Sequence, residues 1–129
     1  MEPTNPPLVG TDEPILLVED DITLAQAVSA TLQREGYAVE SAHTREEAQL
    51  RIQEQAPALL VLDLVLPDGS GWEVLKAARA RTPQMVPVIV ISHAPVTRAQ
   101  IREHGVQRFL PKPFDMRDLV QEVRHLLAP

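Results

Sequence analysis

Runs of branched apolar residues alternate with amphipathic stretches along the chain. Three long runs are typical of parallel strands buried on both faces, and two shorter segments have strand composition. The five predicted strands are Ile15–Val18, Tyr37–Ala42, Leu59–Leu66, Val86–Ile91 and Arg108–Leu110. Because the neighbouring Pro111 has no N–H to donate, we expect the last strand at an edge of the sheet.

Apolar residues at helical spacing follow each predicted strand. The helices are expected from Leu24 to a stop at Gly36, from a capping box at Thr44–Glu47 to about Gln55, from a cap at Ser70 to Arg81, from about Val96 to His104, and from a cap at Asp115 onward. Regular alternation of strand and helix predicts an α/β fold: a doubly wound, five-stranded parallel sheet with right-handed crossovers and helices on both faces.

Length and composition limit the function classes. A chain of 129 residues suits one domain, which we expect over residues 14–129 after a flexible, proline-rich tail at residues 1–13. No apolar stretch reaches the roughly 18 residues of a membrane span, so no membrane insertion is expected. The net charge of −6 argues against direct nucleic acid binding. The chain has no cysteine, which excludes disulfides and thiolate metal sites.

Polar residues follow the predicted strands where parallel strands end at one edge of a sheet. They are Glu19 and Asp20, then Asp63, Ser92 and Lys112. Carboxylates about 4 Å apart repel by about 4 kcal/mol at an effective dielectric of about 20, and a divalent cation removes that cost. Mg²⁺ prefers one or two carboxylates, waters and a phosphate oxygen, while a lysine and a hydroxyl suit phosphoryl oxygens. The set predicts a site that receives a phosphoryl group.

Four segments in this order resemble the receiver domains of two-component response regulators. They are Ile15–Asp21, Leu62–Gly71, Val88–Ser92 and Phe109–Phe114, and the resemblance extends from about Pro14 to Leu127. It implies a flavodoxin-like fold, similar to chemotaxis receivers, with three α/β/α layers and strand order 2-1-3-4-5.

The resemblance also implies the chemistry at the edge of the sheet. Asp63 would be the phosphoacceptor, attacking a phosphohistidine on a sensor histidine kinase or phosphotransfer protein. Glu19 and Asp20 would hold Mg²⁺, or Mn²⁺ as an alternative, together with Asp63 and the backbone carbonyl of Val65.

Other residues take supporting roles in the same family. Lys112 would neutralise the phosphoryl group, and the Lys112–Pro113 peptide bond would be cis. Ser92 would hydrogen-bond the phosphoryl group and act with Phe109 as a switch that changes the face formed by the fourth and fifth strands. For Phe109, plain core packing is an equal alternative.

The resemblance implies a signalling protein rather than an enzyme, acting in the cytoplasm on a downstream effector domain or protein. The segment Val106–Arg108 lacks the acidic pair found in many dimeric DNA-binding relatives, so we expect a monomer or a weak dimer. Val65 and Ala94 are apolar where relatives often carry residues that tune dephosphorylation, which predicts a long-lived phosphoryl group.

Two other functions remain open at this point. One is a Mg²⁺-dependent phosphohydrolase with an aspartyl-phosphate intermediate, although the segment Asp63–Val65 lacks a second Asp for acid–base chemistry. The other is a protein-binding module that works without phosphorylation. The histidines are too scattered along the chain for a metal cluster, and we expect them at the surface; they are His43, His93, His104 and His125.

Overall fold

The computed structural model describes residues 13–81 and 86–128. Strands and helices alternate as the sequence predicts. In chain order the elements are β1 (Ile15–Val18), α1 (Ile22–Arg34), β2 (Val39–Ala42), α2 (Arg45–Glu54), β3 (Leu59–Asp63), β4 (Val65–Leu66), β5 (Gly69–Ser70), α3 (Gly71–Arg81), β6 (Val88–Ser92), α4 (Arg98–His104), β7 (Arg108–Pro111) and α5 (Met116–Leu127). The predicted tail lies outside the described residues except for Glu13.

Five parallel strands form the main sheet in the order β2-β1-β3-β6-β7. Counting only these five strands, the order is 2-1-3-4-5, which confirms the fold class and the expected strand order. Strand β7 lies at an edge, as the proline after Leu110 predicts. Among the described residues, no helix is long and apolar enough to cross a membrane.

Each central strand contributes side chains to two separate cores. In β1, Leu16 and Val18 pack on one face of the sheet, while Ile15 and Leu17 pack on the other. Strands β3 and β6 divide their side chains between the same two clusters. Because both faces are covered by helices, these strands are apolar at nearly every position, and the prediction of doubly buried strands is confirmed.

Side-chain caps and glycines set most helix boundaries. Asp21, Thr44, Thr97 and Asp115 precede α1, α2, α4 and α5, and each accepts a hydrogen bond from a backbone N–H in the first turn. Gly105 ends α4 with φ of 65°, in the left-handed region that favours glycine.

The prediction of one strand from Leu59 to Leu66 is wrong at its end. Strand β3 stops at Asp63, and the next two residues form β4, which pairs antiparallel with β5 across a tight turn. Val65 is 63% exposed, although its neighbours Leu64 and Leu66 remain buried in the core. The turn residues that follow Leu66 fold the chain back before the strand can extend.

Several other boundaries differ by one or two residues. Strands β2 and β6 begin two residues later than predicted, and α4 begins at Arg98 with Thr97 as its cap. Of the two hydrogen bonds in the capping box predicted at Thr44, only one is present. The Thr44 hydroxyl accepts from the Glu47 N–H, but the Glu47 carboxylate accepts from the N–H of His43 instead of Thr44. The complete capping box is at Thr97 and Gln100.

Candidate functional site

The parallel strands bring three carboxylates together at their carboxyl ends. Asp63 is the last residue of β3, and Val18 of β1 pairs in register with Leu62 of β3. Glu19 therefore follows β1 beside Asp63. One carboxylate oxygen from each of Glu19, Asp20 and Asp63 lies within 4.8 Å of the other two. Glu19 and Asp63 are buried, and Asp20 is exposed at the mouth of the site.

Lys112 lies between the two buried carboxylates. Its ammonium nitrogen is 2.6 Å from Glu19 Oε1 and 2.9 Å from Asp63 Oδ2. The Lys112 side chain is only 8% exposed, so water screens these ion pairs weakly. Removing charges from water costs several kcal/mol per ion, and the arrangement is stable only because opposite charges share the same small volume.

The pKa values of Glu19 and Lys112 are both raised, by burial for Glu19 and by ion pairing for Lys112. Burial raises the pKa of the Glu19 carboxyl above its usual range, and the nearby Lys112 ammonium and the hydrogen bond from the Asp21 N–H only partly oppose this rise. For Lys112, burial by itself lowers the pKa, but the bonds to Glu19 and Asp63 outweigh that effect and leave the pKa above its ordinary value. The protein environment therefore keeps Lys112 positively charged.

The donor set fits a divalent cation. When all are ionised, the three carboxylates and one ammonium carry a net charge of −2. Although Lys112 is close to Glu19 Oε1, that oxygen is buried without a well-aligned hydrogen bond within the part of the chain that the structure describes. An anionic oxygen in this position can serve as a metal ligand, and hard oxygen donors of this kind are those that Mg²⁺ and Mn²⁺ prefer.

Backbone contacts orient the individual carboxylates. The N–H of Asp21 donates to Glu19 Oε2 over 3.0 Å, and the N–H of Val65 donates to Asp63 Oδ1 over 3.2 Å. Behind Asp63 the chain passes very close to α3, where the N–H of Gly71 donates to the carbonyl of Leu64 over 2.9 Å. The turn after Asp63 is therefore held against the start of α3.

Ser92 and Lys112 are linked through the backbone of neighbouring strands. The carbonyl of Ser92 accepts from the Lys112 N–H over 2.9 Å, and its buried hydroxyl accepts from the Ala94 N–H over 3.0 Å. The Lys112–Pro113 peptide bond is cis, as the resemblance implies. The hydroxyl of Ser92 is thus bonded directly to the loop that leads to α4.

The other residues singled out in the sequence lie around this centre. Phe109 is half-buried on β7, where it pairs in register with Val90 and packs against the core beneath α2, α3 and α4. The side chain of Val65 is exposed beside Asp63, and Ala94 is partly buried after Ser92.

Comparison with known proteins identifies the family. The model of the response regulator receiver domain matches residues 15–124. The chain belongs to the response regulator receiver family. It is 32% identical over 112 residues to the photosynthetic apparatus regulatory protein RegA of Rhodobacter capsulatus, covering 86% of this chain and 61% of RegA. With the transcriptional regulatory protein CpxR of Escherichia coli it shares 35% identity over 113 residues, covering 88% of this chain and 48% of CpxR.

Solved receiver structures share the fold. A CheY-like response regulator receiver domain protein from Methanospirillum hungatei superposes with a TM-score of 0.83 at 28% identity, covering 91% of this chain and 94% of that one. The curated relatives are longer: the chain spans between 46% and 61% of the length of the first three. The family assignment therefore describes a receiver domain, and the activity of the longer relatives is not carried over with it.

The contact made by one residue at the carboxyl edge of the sheet was not predicted from the sequence. His43 was expected at the surface, but its ring is partly buried and its Nδ1 lies 2.9 Å from the backbone carbonyl oxygen of Glu19. The available signal was its position: it directly follows β2, which lies next to β1 in the sheet. Residues that follow neighbouring parallel strands meet at one edge, whatever their distance in sequence.

Proposed function

We propose that this receiver domain, over residues 14–129, accepts a phosphoryl group on Asp63 from a phosphohistidine of a sensor histidine kinase or phosphotransfer protein. One observation carries the proposal: the buried Asp63 carboxylate ends the central strand within 4.8 Å of two further carboxylates and 2.9 Å from the Lys112 ammonium. Such a site combines a nucleophile, a cation-binding cluster and a fixed positive charge.

The transfer forms one bond and breaks another. An oxygen of Asp63 attacks phosphorus, the P–N bond to the donor imidazole breaks, and the electron pair goes to the imidazole nitrogen. Glu19, Asp20, Asp63 and the Val65 carbonyl would hold a divalent cation, which would supply positive charge near the phosphoryl oxygens. Lys112 already contacts the acceptor carboxylate, so its ammonium is within reach of the new oxyanion charge.

Ser92 would detect the phosphoryl group on Asp63 through a hydrogen bond. Its hydroxyl, now accepting from the Ala94 N–H, would reorient to donate to a phosphoryl oxygen. The loop to α4 then moves, and Phe109 on the edge strand responds. This changes the affinity of the β6–β7 face for an effector domain or protein. We further propose that the protein acts in the cytoplasm, binds no nucleic acid directly, and is a monomer or weak dimer.

The test uses a small phosphodonor and mass spectrometry. The protein is incubated with acetyl phosphate and Mg²⁺, and the modified peptide is located. We expect the mass of one phosphoryl group on Asp63, none without divalent cation, and none in Asp63→Asn. Asp115→Asn is a matched control, because it removes an exposed aspartate that caps α5; it should be modified like the wild type.

Other outcomes favour the alternatives. Repeated turnover of a small phosphate ester without a kinase would support a phosphohydrolase. The segment Asp63–Val65 offers no second Asp for the acid–base chemistry of that reaction, because position 65 is an exposed valine. Partner binding that is unchanged by acetyl phosphate and by Asp63→Ala would support a phosphorylation-independent binding module.

A further inference from the structure

Two separate loops carry the proposed metal ligands, and both contact the start of α2. The loop after β1 carries Glu19 and Asp20. The turn after β3 carries Val65 and leads through Asp68 to α3. Residues 43–46, which we call the α2 bridge, lie between these loops and form hydrogen bonds with each of them.

The first contact joins the bridge to the β1 loop. His43 Nδ1 lies 2.9 Å from the backbone carbonyl oxygen of Glu19. A carbonyl oxygen can only accept, so Nδ1 carries the hydrogen and donates. The backbone N–H of His43 donates to Glu47 Oε1 over 2.8 Å, which ties the histidine to the first turn of α2. This contact holds the peptide group between Glu19 and Asp20, the two acids that follow β1.

The second contact joins the bridge to the turn after β3. The two carboxylate oxygens of Asp68 accept from the N–H groups of Arg45 and Glu46, over 2.7 Å and 3.0 Å. These N–H groups belong to the first turn of α2 and have no acceptor within the helix. The bond from Arg45, followed by other backbone bonds, lowers the pKa of Asp68, so the carboxylate stays ionised in this contact.

An ion pair extends the second contact to α3. The Arg45 guanidinium lies 3.2 Å from Glu73 Oε2, and Glu73 Oε1 accepts from the Ser70 N–H over 2.9 Å. The turn that follows Asp63 is therefore tied to α2 at Asp68 and, through Glu73, at Ser70, which pairs with Val65. Since these contacts join the turn to α2, its position depends on α2 as well as on β3.

We propose that the α2 bridge positions both metal-carrying loops, with His43 and Asp68 as the two positioning residues. The inference rests on the proposed function, because it concerns the same cation. Without these contacts, the loop with Glu19 and Asp20 and the turn with Val65 could each move relative to Asp63, and cation binding would have to restore their spacing. With them, the carboxylates are held near one another before the cation arrives, which strengthens binding.

The first experiment measures the dissociation constant for Mg²⁺ by calorimetric titration, without phosphodonor. We expect His43→Ala and Asp68→Ala each to weaken binding roughly tenfold, the scale at which partners of metal ligands act. His43→Asn should restore most of the affinity, because its amide can donate from nearly the position of Nδ1. Glu46→Gln is the charge control: it removes a carboxylate from the same turn but keeps its backbone N–H, and its affinity should stay near that of the wild type.

The second measurement follows hydrogen exchange of the Arg45 and Glu46 amides by NMR. Coupling between two sites is reciprocal. If the bridge strengthens cation binding, the bound cation must also stabilise the hydrogen bonds of the bridge. We expect Mg²⁺ to slow exchange of these two amides in the wild type and to have little effect on them in His43→Ala. A residue that only stabilises the fold would not give this metal-dependent change.

The outcomes separate the two proposals. Absence of any Mg²⁺ affinity in the wild type would contradict the proposed function itself. Normal affinity in the wild type, in His43→Ala and in Asp68→Ala would overturn the bridge and leave the proposed function standing. If the alanine variants do not fold, His43→Asn and Asp68→Asn decide: the first should bind Mg²⁺ like the wild type, and the second, with one charged acceptor lost, more weakly. Equal binding by both would count against the bridge.

Discussion

Lys112 shows how far one residue can be understood from the sequence. It follows a strand at the same edge as Asp63, and prolines on both sides restrict its backbone, so its approach to the acidic cluster is predictable. Which of the carboxylates Lys112 approaches most closely is not predictable from the sequence. The ammonium is closer to Glu19, at 2.6 Å, than to Asp63, at 2.9 Å. Differences of this size depend on the packing of the whole edge rather than on local pattern.

Tyr37 gives a prediction for alkaline pH. Burial raises the pKa of its hydroxyl above the ordinary value of 10.0, with smaller and opposed effects from Arg124 and Glu35. Between the ordinary and the raised pKa, tyrosine is ionised in the unfolded chain but neutral in the folded one. The unfolded state then binds fewer protons, so the free energy of unfolding must fall as pH rises above about 10.

The measurement compares wild type and Tyr37→Phe in urea unfolding at several pH values. Phenylalanine cannot ionise, so the variant should lose less stability between about pH 9 and pH 11. Lys112, whose pKa is also raised in the folded protein, lowers stability near the top of this range as lysine deprotonates in the unfolded chain. Both proteins keep that residue, so the difference between them isolates Tyr37. Parallel curves for the two proteins would contradict the prediction.

The start of α3 is closely restricted by the backbone that follows β3. A Cβ atom on Gly71 would clash with the carbonyl oxygen of Asp63 and lie 2.9 Å from Leu64 Cα. Both are backbone atoms that cannot turn aside like the end of a side chain. Alanine normally favours a helix over glycine by about 1 kcal/mol, but overpacking costs about 1–3 kcal/mol or more. We therefore expect Gly71→Ala to lower the free energy of unfolding, as measured by urea denaturation.

Gly105→Ala is the comparison for this variant. Gly105 has φ of 65° at the end of α4, and alanine there costs about 1–2 kcal/mol through backbone strain alone. Both variants should be less stable than the wild type, but only Gly71→Ala displaces the carbonyl of Asp63 and should also weaken Mg²⁺ binding. A Gly71→Ala protein as stable as the wild type would show that Gly71 does not lie so close to the backbone of Asp63 and Leu64.

The elements were predictable where one local signal dominated. Long apolar runs located β1, β3 and β6, and side-chain caps located the starts of α2 and α5. The end of β3 was mistaken because apolar residues continue through Leu66. Nothing in hydrophobicity alone distinguishes a longer strand from a strand followed by a tight two-residue pairing. The contact of His43 with Glu19 was missed for a different reason: it joins residues that are 24 positions apart.

For the whole molecule, the hydrophobic pattern and the motifs contributed different information. Alternating strands and helices are enough to predict a parallel sheet covered on both faces. They leave the order of the strands open, because right-handed crossovers allow several arrangements of five strands. The order 2-1-3-4-5 came from the resemblance in four motifs, and it is this order that brings β1 beside β3 and the three carboxylates together.

Under the proposed function, the lifetime of a phosphoryl group on Asp63 depends on the access of water to that residue. Hydrolysis needs a water molecule oriented toward phosphorus, usually by a polar side chain. Val65 is exposed, and its N–H bonds to the acceptor carboxylate, so its side chain borders the site but offers no hydrogen bond. Ala94, whose N–H bonds to the Ser92 hydroxyl, is equally apolar. We expect slow loss of the phosphoryl group from the isolated wild-type protein.

The variant Val65→Asn tests this expectation, because its amide can both donate to and accept from a water beside Asp63. After phosphorylation with acetyl phosphate and removal of the donor, it should lose the phosphoryl group several-fold faster than the wild type, as followed by mass spectrometry. Leu50→Asn is a matched control, since Leu50 is also an exposed apolar residue, at 53%, but lies on α2. Its rate should equal that of the wild type. If Val65→Asn and Leu50→Asn decay alike, or if the wild type loses its phosphoryl group rapidly, the side chain at position 65 does not control access of water.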